Sequence, residues 1–329
     1  MILQRRKPEN KPLVSVVLCT YNRAHYIRRS IDSVLSQKIN FNIEILIGDD
    51  ASTDDTKEIL LDYQKRYPDI FTLLLHEKNN GTGSNWAQLM KLVQGKYVAL
   101  CDDDDYWHYE EKIQKQVEIL EGDISVGLVH TDFRFYYPKK NRFKEVRIKN
   151  LESNILFQSL FDGDYIIITS TVVFRSELLD KYVNLDDYIK LSFPIQDWVT
   201  WMQIANHTNF YHLDISTSTY CLSEDSVTRS KDFDSLVERY DKEQLMYKYI
   251  CTKYPQELSY DENRWNRFVN KIFLAFAFNS HDFEKAHYYG RKIDNIDLHR
   301  LFSKNIVFFK IYVFLKKIYK DIKYGVILH

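Results

Sequence analysis

Glycine and proline are both scarce, 9 and 6 among 329 residues, and no run of about 18 uninterrupted apolar residues exists, which excludes an obvious transmembrane helix. Cysteine is equally sparse. Cys19, Cys101, Cys221 and Cys251 are far apart in the chain, and two lie in apolar runs that read as buried strands. This pattern suggests neither a CxxC metal site nor a disulfide framework, and it points to reducing cytosol. The formal net charge is −1, so the basic surplus that nucleic-acid binders need to neutralise phosphates is missing, and a nucleic-acid partner is not expected. Met1 to Pro12 is polar and basic with no apolar core, so it does not read as a secretory signal.

What is present is an ordinary globular composition, 45% hydrophobic and 28% charged, with an unusual wealth of 24 Tyr and 20 Phe. The chain is neither disordered nor fibrous, and its length allows one large α/β domain plus a smaller appendage. Short apolar runs at Leu13 to Cys19, Ile43 to Ile47, Phe71 to Leu75 and Tyr97 to Cys101 alternate with longer helix-like segments. Strands buried on both faces read this way, so a mostly parallel sheet with crossover helices is expected. Ile27, Ile31, Val34 and Leu35 fall at helical spacing, and Ser52 with Asp55 reads as a capping-box-like helix start. After about Gly127 the alternation loosens into a strand-like Ile166 to Phe174, a helix-like Asp197 to Ala205 and a strand-like Phe210 to Leu213, read as the second half of the same domain. From about Asp232 the pattern is helical, which sets expected domains of 1–230 and 231–329.

Ligands of open α/β sheets collect beyond the carboxyl ends of the strands. Three such ends carry polar residues here: Thr20-Tyr21-Asn22, Asp49-Asp50, and Asp102 through Asp105. Asp102 and Asp104 are two apart, so on an extended strand end they point to one side and can meet one divalent cation. Mg²⁺ or Mn²⁺ prefers oxygen ligands and takes one or two carboxylates, with phosphate and water completing its shell. Four adjacent like charges repel, and a cation would relieve that; a solvated acidic loop is the alternative. The carboxylate of Asp50 could accept from a base N–H or a ribose hydroxyl, and Tyr21 could stack a planar base.

The run Val14 through Arg23, the run Ile45 through Asp54, Asn80-Gly81 with Asn85, Gly95-Lys96-Tyr97, and Asp102 through Trp107 followed by Glu111 through Val117 together resemble the family 2 glycosyltransferases of bacteria. The resemblance is colinear over roughly residues 12 to 225 and, as a set, highly specific. It implies a GT-A fold, Rossmann-like with flanking helices, a nucleotide-diphosphate-sugar donor, a divalent metal and inversion at the anomeric carbon. Carried over by position, Thr20, Tyr21, Asn22 and Asp50 would hold the nucleoside, with Asn85 counted among the donor-binding residues. Asp102 and Asp103 would lie near ribose and diphosphate, Asp104 would be the main metal ligand, and Asp102 and Asp104 would fill the outer positions of the DxD motif. Many close relatives have Glu-Gly-Asp-Asp-Tyr-Trp where this chain has four aspartates before Tyr106-Trp107.

Gln196-Asp197-Trp198 opens a helix-like segment, and a helix N-cap by itself explains Asp197. In the family this place resembles the motif whose Asp is the catalytic base, so the resemblance gives Asp197 that role. Relatives often continue Tyr-Arg-x-His where this chain has Tyr220-Cys221-Leu222-Ser223-Glu224-Asp225-Ser226, so a basic pair over the diphosphate is missing. Glu224 or Asp225 could coordinate metal in its stead, or serve only as a surface loop.

Within Ile306 to Lys323, Val307, Ile311, Phe314, Leu315, Ile318 and Ile322 recur at helical spacing, with Lys310, Lys316, Lys317, Lys320 and Lys323 on the opposite side. Such a basic amphipathic helix can lie on an anionic membrane or pack against protein, and periodicity does not separate the two. Trp265, Phe268, Ile272 and Phe276 read as a small helical core. The expected function is thus an inverting, metal-dependent glycosyltransferase moving sugar, with UDP as the preferred carrier, to a hydroxyl of a glycan or lipid-linked acceptor in surface polysaccharide, capsule or lipopolysaccharide, synthesis. It would work in the cytoplasm or on the inner membrane face. The rivals are a non-catalytic nucleotide-sugar or glycan-binding module and a sugar nucleotidyltransferase, the latter disfavoured because Thr20-Tyr21-Asn22-Arg23 has no phosphate-loop glycine.

Overall fold

The computed structural model describes residues 2–4, 11–148, 153–163, 167–222, 232–293 and 306. The chain divides into two compact units, 1–226 and 227–329. In the first, the described strands are β1 (Ile2–Gln4), β2 (Val14–Thr20), β3 (Ile43–Asp49), β4 (Phe71–Leu75), β5 (Tyr97–Leu100), β6 (Tyr106–Trp107), β7 (Val126–Tyr137), β8 (Arg142–Val146), β9 (Val173–Arg175) and β10 (Asn209–Cys221). Its helices are α1 (Ile27–Leu35), α2 (Thr56–Arg66), α3 (Thr82–Met90), α4 (Lys112–Gly122), α5 (Ser153–Asp162), α6 (Glu177–Tyr182), α7 (Leu185–Leu191) and α8 (Gln196–Ile204).

All ten described strands join one sheet in the order β1-β4-β3-β2-β5-β9-β7-β10-β6, with β8 added on β7. β4, β3, β2 and β5 run parallel, as do β7 and β10, while β9 enters antiparallel between β5 and β7. The parallel half is buried on both faces: Val14, Val16, Leu18, Ile45, Ile47, Leu73 and Ala99 form one apolar cluster with Ile27, Ile31 and Val34 of α1, and Val17, Leu46, Leu74, Val98 and Leu100, at the alternate positions, are buried as well. That is why these strands read as unbroken apolar runs and why α1 shows a clean apolar stripe. Because β3, β2 and β5 are neighbours, their polar carboxyl ends lie side by side.

Several local expectations change. Ser52 does not cap α2: its Oγ accepts from the Asn22 amide at 2.8 Å, and the helix starts at Thr56 after Asp55. Asp197 is not an N-cap either, because Ile195 holds that place and Asp197 sits inside the first turn of α8. The strand expected over 166–174 becomes a 3₁₀ turn, Thr169–Thr171, followed by the short β9, and residue 166 lies outside the described residues. The strand expected at Phe210 to Leu213 extends over Asn209–Cys221.

The second unit contains α9 (Phe233–Lys253), α10 (Glu262–Asn279) and α11 (Phe283–Arg291). Each begins with an aspartate whose side chain accepts an orphan first-turn amide: Asp232 from Ser235, Asp261 from Arg264 and Asp282 from Lys285. Leu236, Trp265, Val269 and Phe273 form a buried cluster with Ile272 and Phe276 packed against it, while Phe268, 51% exposed, lies at its edge with its ring 5.8 Å from that of Trp265. No described helix is long and apolar enough to cross a membrane. The basic amphipathic segment 306–323 lies outside the described residues except for Ile306.

Candidate active site

The β2 end turns sharply at Asn22, which adopts φ +53°, a left-handed conformation that Asn tolerates better than most residues. The turn is locked to the segment after β3. Asn22 Oδ1 accepts from Thr53 N at 2.7 Å, the Arg23 amide donates to Thr56 Oγ1 at 2.8 Å, and the Ala24 amide to Asp54 Oδ2 at 3.0 Å. Tyr21 is thereby presented at the strand end with 42% of its surface exposed. An exposed aromatic ring at that edge suits stacking on a base.

Asp50 is buried, and both its carboxylate oxygens are engaged: Oδ1 accepts from Asn80 N at 2.8 Å and Oδ2 from Gly81 N at 2.9 Å. The same loop continues inward. Asn80 Nδ2 meets His76 Nδ1 at 3.2 Å, His76 Nε2 meets Asn85 Oδ1 at 3.2 Å, and Asn85 Nδ2 donates to Gly48 O at 2.7 Å. Asn85 is 1% exposed with both ends of its amide taken, so the structure places it beneath the site as a brace between α3 and β3. It is not brought to the surface with Tyr21.

The acidic loop after β5 is threaded by α1. Ser30 Oγ reaches the carbonyls of Asp103, at 2.8 Å, and Asp105, at 2.5 Å. Arg29 Nη2 donates to the Asp104 carbonyl at 2.9 Å, and its guanidinium lies 4.6 Å from the Tyr106 ring centre. The same Arg29 nitrogen is 3.0 Å from Cys221 Sγ, so a guanidinium from α1 stands at the end of β10. Asp105 is 1% exposed and structural: Oδ1 accepts from Cys221 N and Oδ2 from Ser170 Oγ, each at 2.9 Å.

Burying several carboxylates together is costly unless something neutralises them. Burial first, then the charges of Asp105, Asp104, Asp197 and Asp103, push the Asp102 carboxyl well above the usual carboxylate range. Burial and Asp104 raise Asp103 to about 7, against the pull of Arg23, whose Nε is 3.5 Å from Asp103 Oδ1, and of the Thr20 hydroxyl. Burial also raises Asp197, opposed by the Thr169 hydroxyl and the Trp198 amide. α8 and the β5 end, 95 positions apart in sequence, come to one site through two hydrogen bonds with adjacent residues, one made at Asp197 and one at Asp102.

The link is the 3₁₀ turn. Thr169 Oγ1 donates to Asp197 Oδ2 at 2.6 Å, and the next residue, Ser170, accepts the Asp102 amide at 3.0 Å. Nothing in the local sequence around Thr169 and Ser170 marks them, since their partners come from segments far away in the chain. Among the described residues no three His, Cys, Asp or Glu side chains form a self-sufficient metal cage. An Mg²⁺- or Mn²⁺-type ion needs none, since one or two carboxylates plus diphosphate oxygens and water suffice, and the all-oxygen donor set with its raised carboxyl groups suits such a hard cation.

The family profile described as Glycosyl transferase family 2 matches residues 15–183. An uncharacterized protein of Mycobacterium tuberculosis is 32% identical over 185 residues, 56% of this chain and 51% of that protein, so the match spans about half the relative's length. Among solved structures, residues 1–349 of Staphylococcus aureus TarS, in complex with UDP-GlcNAc, superpose with a TM-score of 0.56 at 16% identity, covering 95% of this chain and 92% of that one. The mannosyltransferase PcManGT of Pyrobaculum calidifontis, in complex with GDP-Man and Mn²⁺, gives 0.53 at 16% identity, covering 96% and 89%. With this sheet order, a site at the carboxyl ends of β3, β2 and β5, and a profile match over half its length, the chain belongs to glycosyl transferase family 2 and has the GT-A fold.

Proposed function

We propose that this protein is an inverting, metal-dependent glycosyltransferase. It takes a sugar from a nucleoside-diphosphate sugar, preferably a UDP-sugar, and attaches it to a hydroxyl of a glycan or lipid-linked acceptor used in surface polysaccharide synthesis. The observation that carries the reading is the meeting of Asp197 with the Asp102–Asp105 loop across the Thr169–Ser170 turn. The donors bound by TarS and PcManGT support the substrate class, and the Mn²⁺ of the latter supports the metal.

In this reading Tyr21 stacks the base, the Thr20–Asn22 strand end lies along the nucleoside, and Asp50 acts by holding the Asn80-Gly81 turn beside it. Asp102 and Asp103 flank ribose and diphosphate, and Asp104 with Asp102 holds the cation. The bound cation would offset the charge that develops on the departing diphosphate. Asp197 takes the proton of the acceptor hydroxyl, which becomes acidic enough for a carboxylate only as the glycosidic bond breaks. Its surroundings favour proton abstraction, because burial raises its proton affinity while the Thr169 and Trp198 donors, which oppose that rise, hold the carboxylate in place. Arg29 and Arg23 supply the positive charge beside the acidic loop.

The test is incubation with Mn²⁺ and a panel of UDP- and GDP-sugars, with Asp197→Asn in parallel. Slow release of nucleoside diphosphate that vanishes in the variant is the expected result. Tight donor binding without release would favour a binding module, and pyrophosphate release from a nucleoside triphosphate would favour a nucleotidyltransferase.

A further inference from the structure

Asp197 lies inside the first turn of α8, where a short carboxylate ordinarily swings toward the free amides of its own helix. One of its oxygens does so, Oδ1 accepting from Trp198 N at 2.8 Å. The other is held away from the helix by Thr169 Oγ1 at 2.6 Å. The neighbouring Ser170 carries the opposite half of the site: its Oγ accepts the Asp102 amide at 3.0 Å and donates to Asp105 Oδ2 at 2.9 Å.

The turn that bears these two hydroxyls is itself fixed on every side. The Ser170 carbonyl accepts from both Trp107 Nε1, at 2.9 Å, and Ser218 Oγ, at 2.7 Å. Thr171 Oγ1 donates back to the Ile168 carbonyl at 2.6 Å, and the Thr171 carbonyl accepts from Gln116 Nε2 at 2.9 Å. Gln116 is in turn gripped by Lys112 Nζ at 2.7 Å, a lysine with no exposed surface whose ammonium lies 4.5 Å from the Trp107 ring centre. Buried networks satisfied this fully rigidify the groups they hold.

From these contacts we infer that Thr169 is a positioning residue for Asp197, and that the Thr169–Thr171 turn is the gauge that sets the distance between that carboxylate and the metal-side loop. Adjacent Cα atoms are about 3.8 Å apart, so two hydrogen bonds and one peptide unit connect the two halves of the site. The Trp198 amide of its own helix takes one carboxylate oxygen, and a hydrogen bond to an ionised oxygen belongs to the stronger class, so the Thr169 hydroxyl can hold the other away from the helix. Thr169 touches no reacting atom; it acts through Asp197, so the inference rests on Asp197 being the base.

The experiment compares Thr169→Val, which keeps the shape and removes the donor, with Thr169→Ser, which keeps the donor, using Asp197→Asn as reference. Nucleoside diphosphate release from UDP-GlcNAc and GDP-mannose is measured with Mn²⁺, and crystal structures of both Thr169 variants are solved. Thr169→Val is expected to lower kcat by about 10- to 100-fold with donor KM within about twofold, whereas Thr169→Ser stays within about threefold of the parent. The Asp197 carboxylate turns away in the Val crystal and stays in place in the Ser crystal. An unmoved Asp197 in the Val crystal overturns the inference, as does a Ser variant as impaired as the Val variant. Full activity in Thr169→Val beside an inactive Asp197→Asn overturns the positioning role alone, whereas an active Asp197→Asn overturns the base assignment on which it stands.

Discussion

Asp105 accepts the Cys221 amide through Oδ1 at 2.9 Å and thereby ties the loop after β5 to the end of β10, across 116 positions of sequence. Its second oxygen takes the Ser170 hydroxyl, so one carboxylate that faces no solvent holds the acidic loop in shape. Side chains that orient metal ligands without touching the metal commonly contribute 10- to 100-fold to metal affinity. Asp105→Ala is expected to weaken Mn²⁺ binding by about that factor. Titration of Mn²⁺ by calorimetry checks this, and an unchanged affinity would show that the loop keeps its shape without the tie.

The raised carboxyl groups predict how stability depends on pH and metal. Asp103 titrates at about 7 in the folded chain, while an unfolded aspartate titrates near 4, so between these values the native state binds more protons. Stability without divalent cation therefore falls as pH rises through that window. A divalent cation removes the repulsion and competes with those protons, so Mn²⁺ should raise Tm more at about pH 7.5 than at about pH 5. Saturation at a hundredfold above Kd corresponds to about 2.7 kcal/mol. Thermal melts at the two pH values, with and without Mn²⁺, decide it; an equal rise at both would contradict the competition.

Gly48 has no room for a side chain. A Cβ there would stand 2.1 Å from Asn85 Oδ1 and 2.9 Å from Leu89 Cδ1, so Gly48→Ala must expel the Asn85 amide from its brace. The expected loss is about 1–3 kcal/mol from overpacking, plus about 1 kcal/mol for each broken hydrogen bond. Adding Asn85→Ala should recover part of it, because the two substitutions share one collision. Urea unfolding of the single and double variants measures the coupling, and strict additivity would refute it.

Membrane contact through the segment 306–323 is a proposal with its own test. If its lysines meet an anionic surface, each contributes about 1 kcal/mol to binding. Lys316→Glu with Lys317→Glu in the full chain should then lower affinity for phosphatidylserine-containing vesicles by at least about tenfold, leaving neutral vesicles unaffected. Co-sedimentation with the two vesicle types separates this from a helix packed on protein, for which neither vesicle would bind the parent chain.

The parallel core was legible because its strands are buried on both faces, and the three polar strand ends followed from where such strands stop. The β7–β10 half was less so. Val126–Tyr137 is a twelve-residue strand with mixed polar positions, since Thr131, Asp132 and Arg134 are satisfied by partners on other elements, and such positions break the alternation by which a strand is read. Ser52 and Asp197 resemble helix caps in sequence for a related reason. A short polar side chain before an apolar run looks the same whether its hydrogen bond goes to the helix amides or, as at Ser52, to the Asn22 amide of a neighbouring turn.

Local sequence alone thus determined the order of apolar runs, the acid-rich strand ends and the helical pattern that follows Asp232, because burial and periodicity are written into neighbouring residues. Tertiary structure decided which polar groups cooperate. The engagement of Asp50 by Asn80 and Gly81, the approach of Arg29 to Cys221, and the pairing of Thr169 with Asp197 each join segments brought together by sheet order and helix packing, and a hydrogen bond reaches only about 3 Å regardless of the length of chain between its ends.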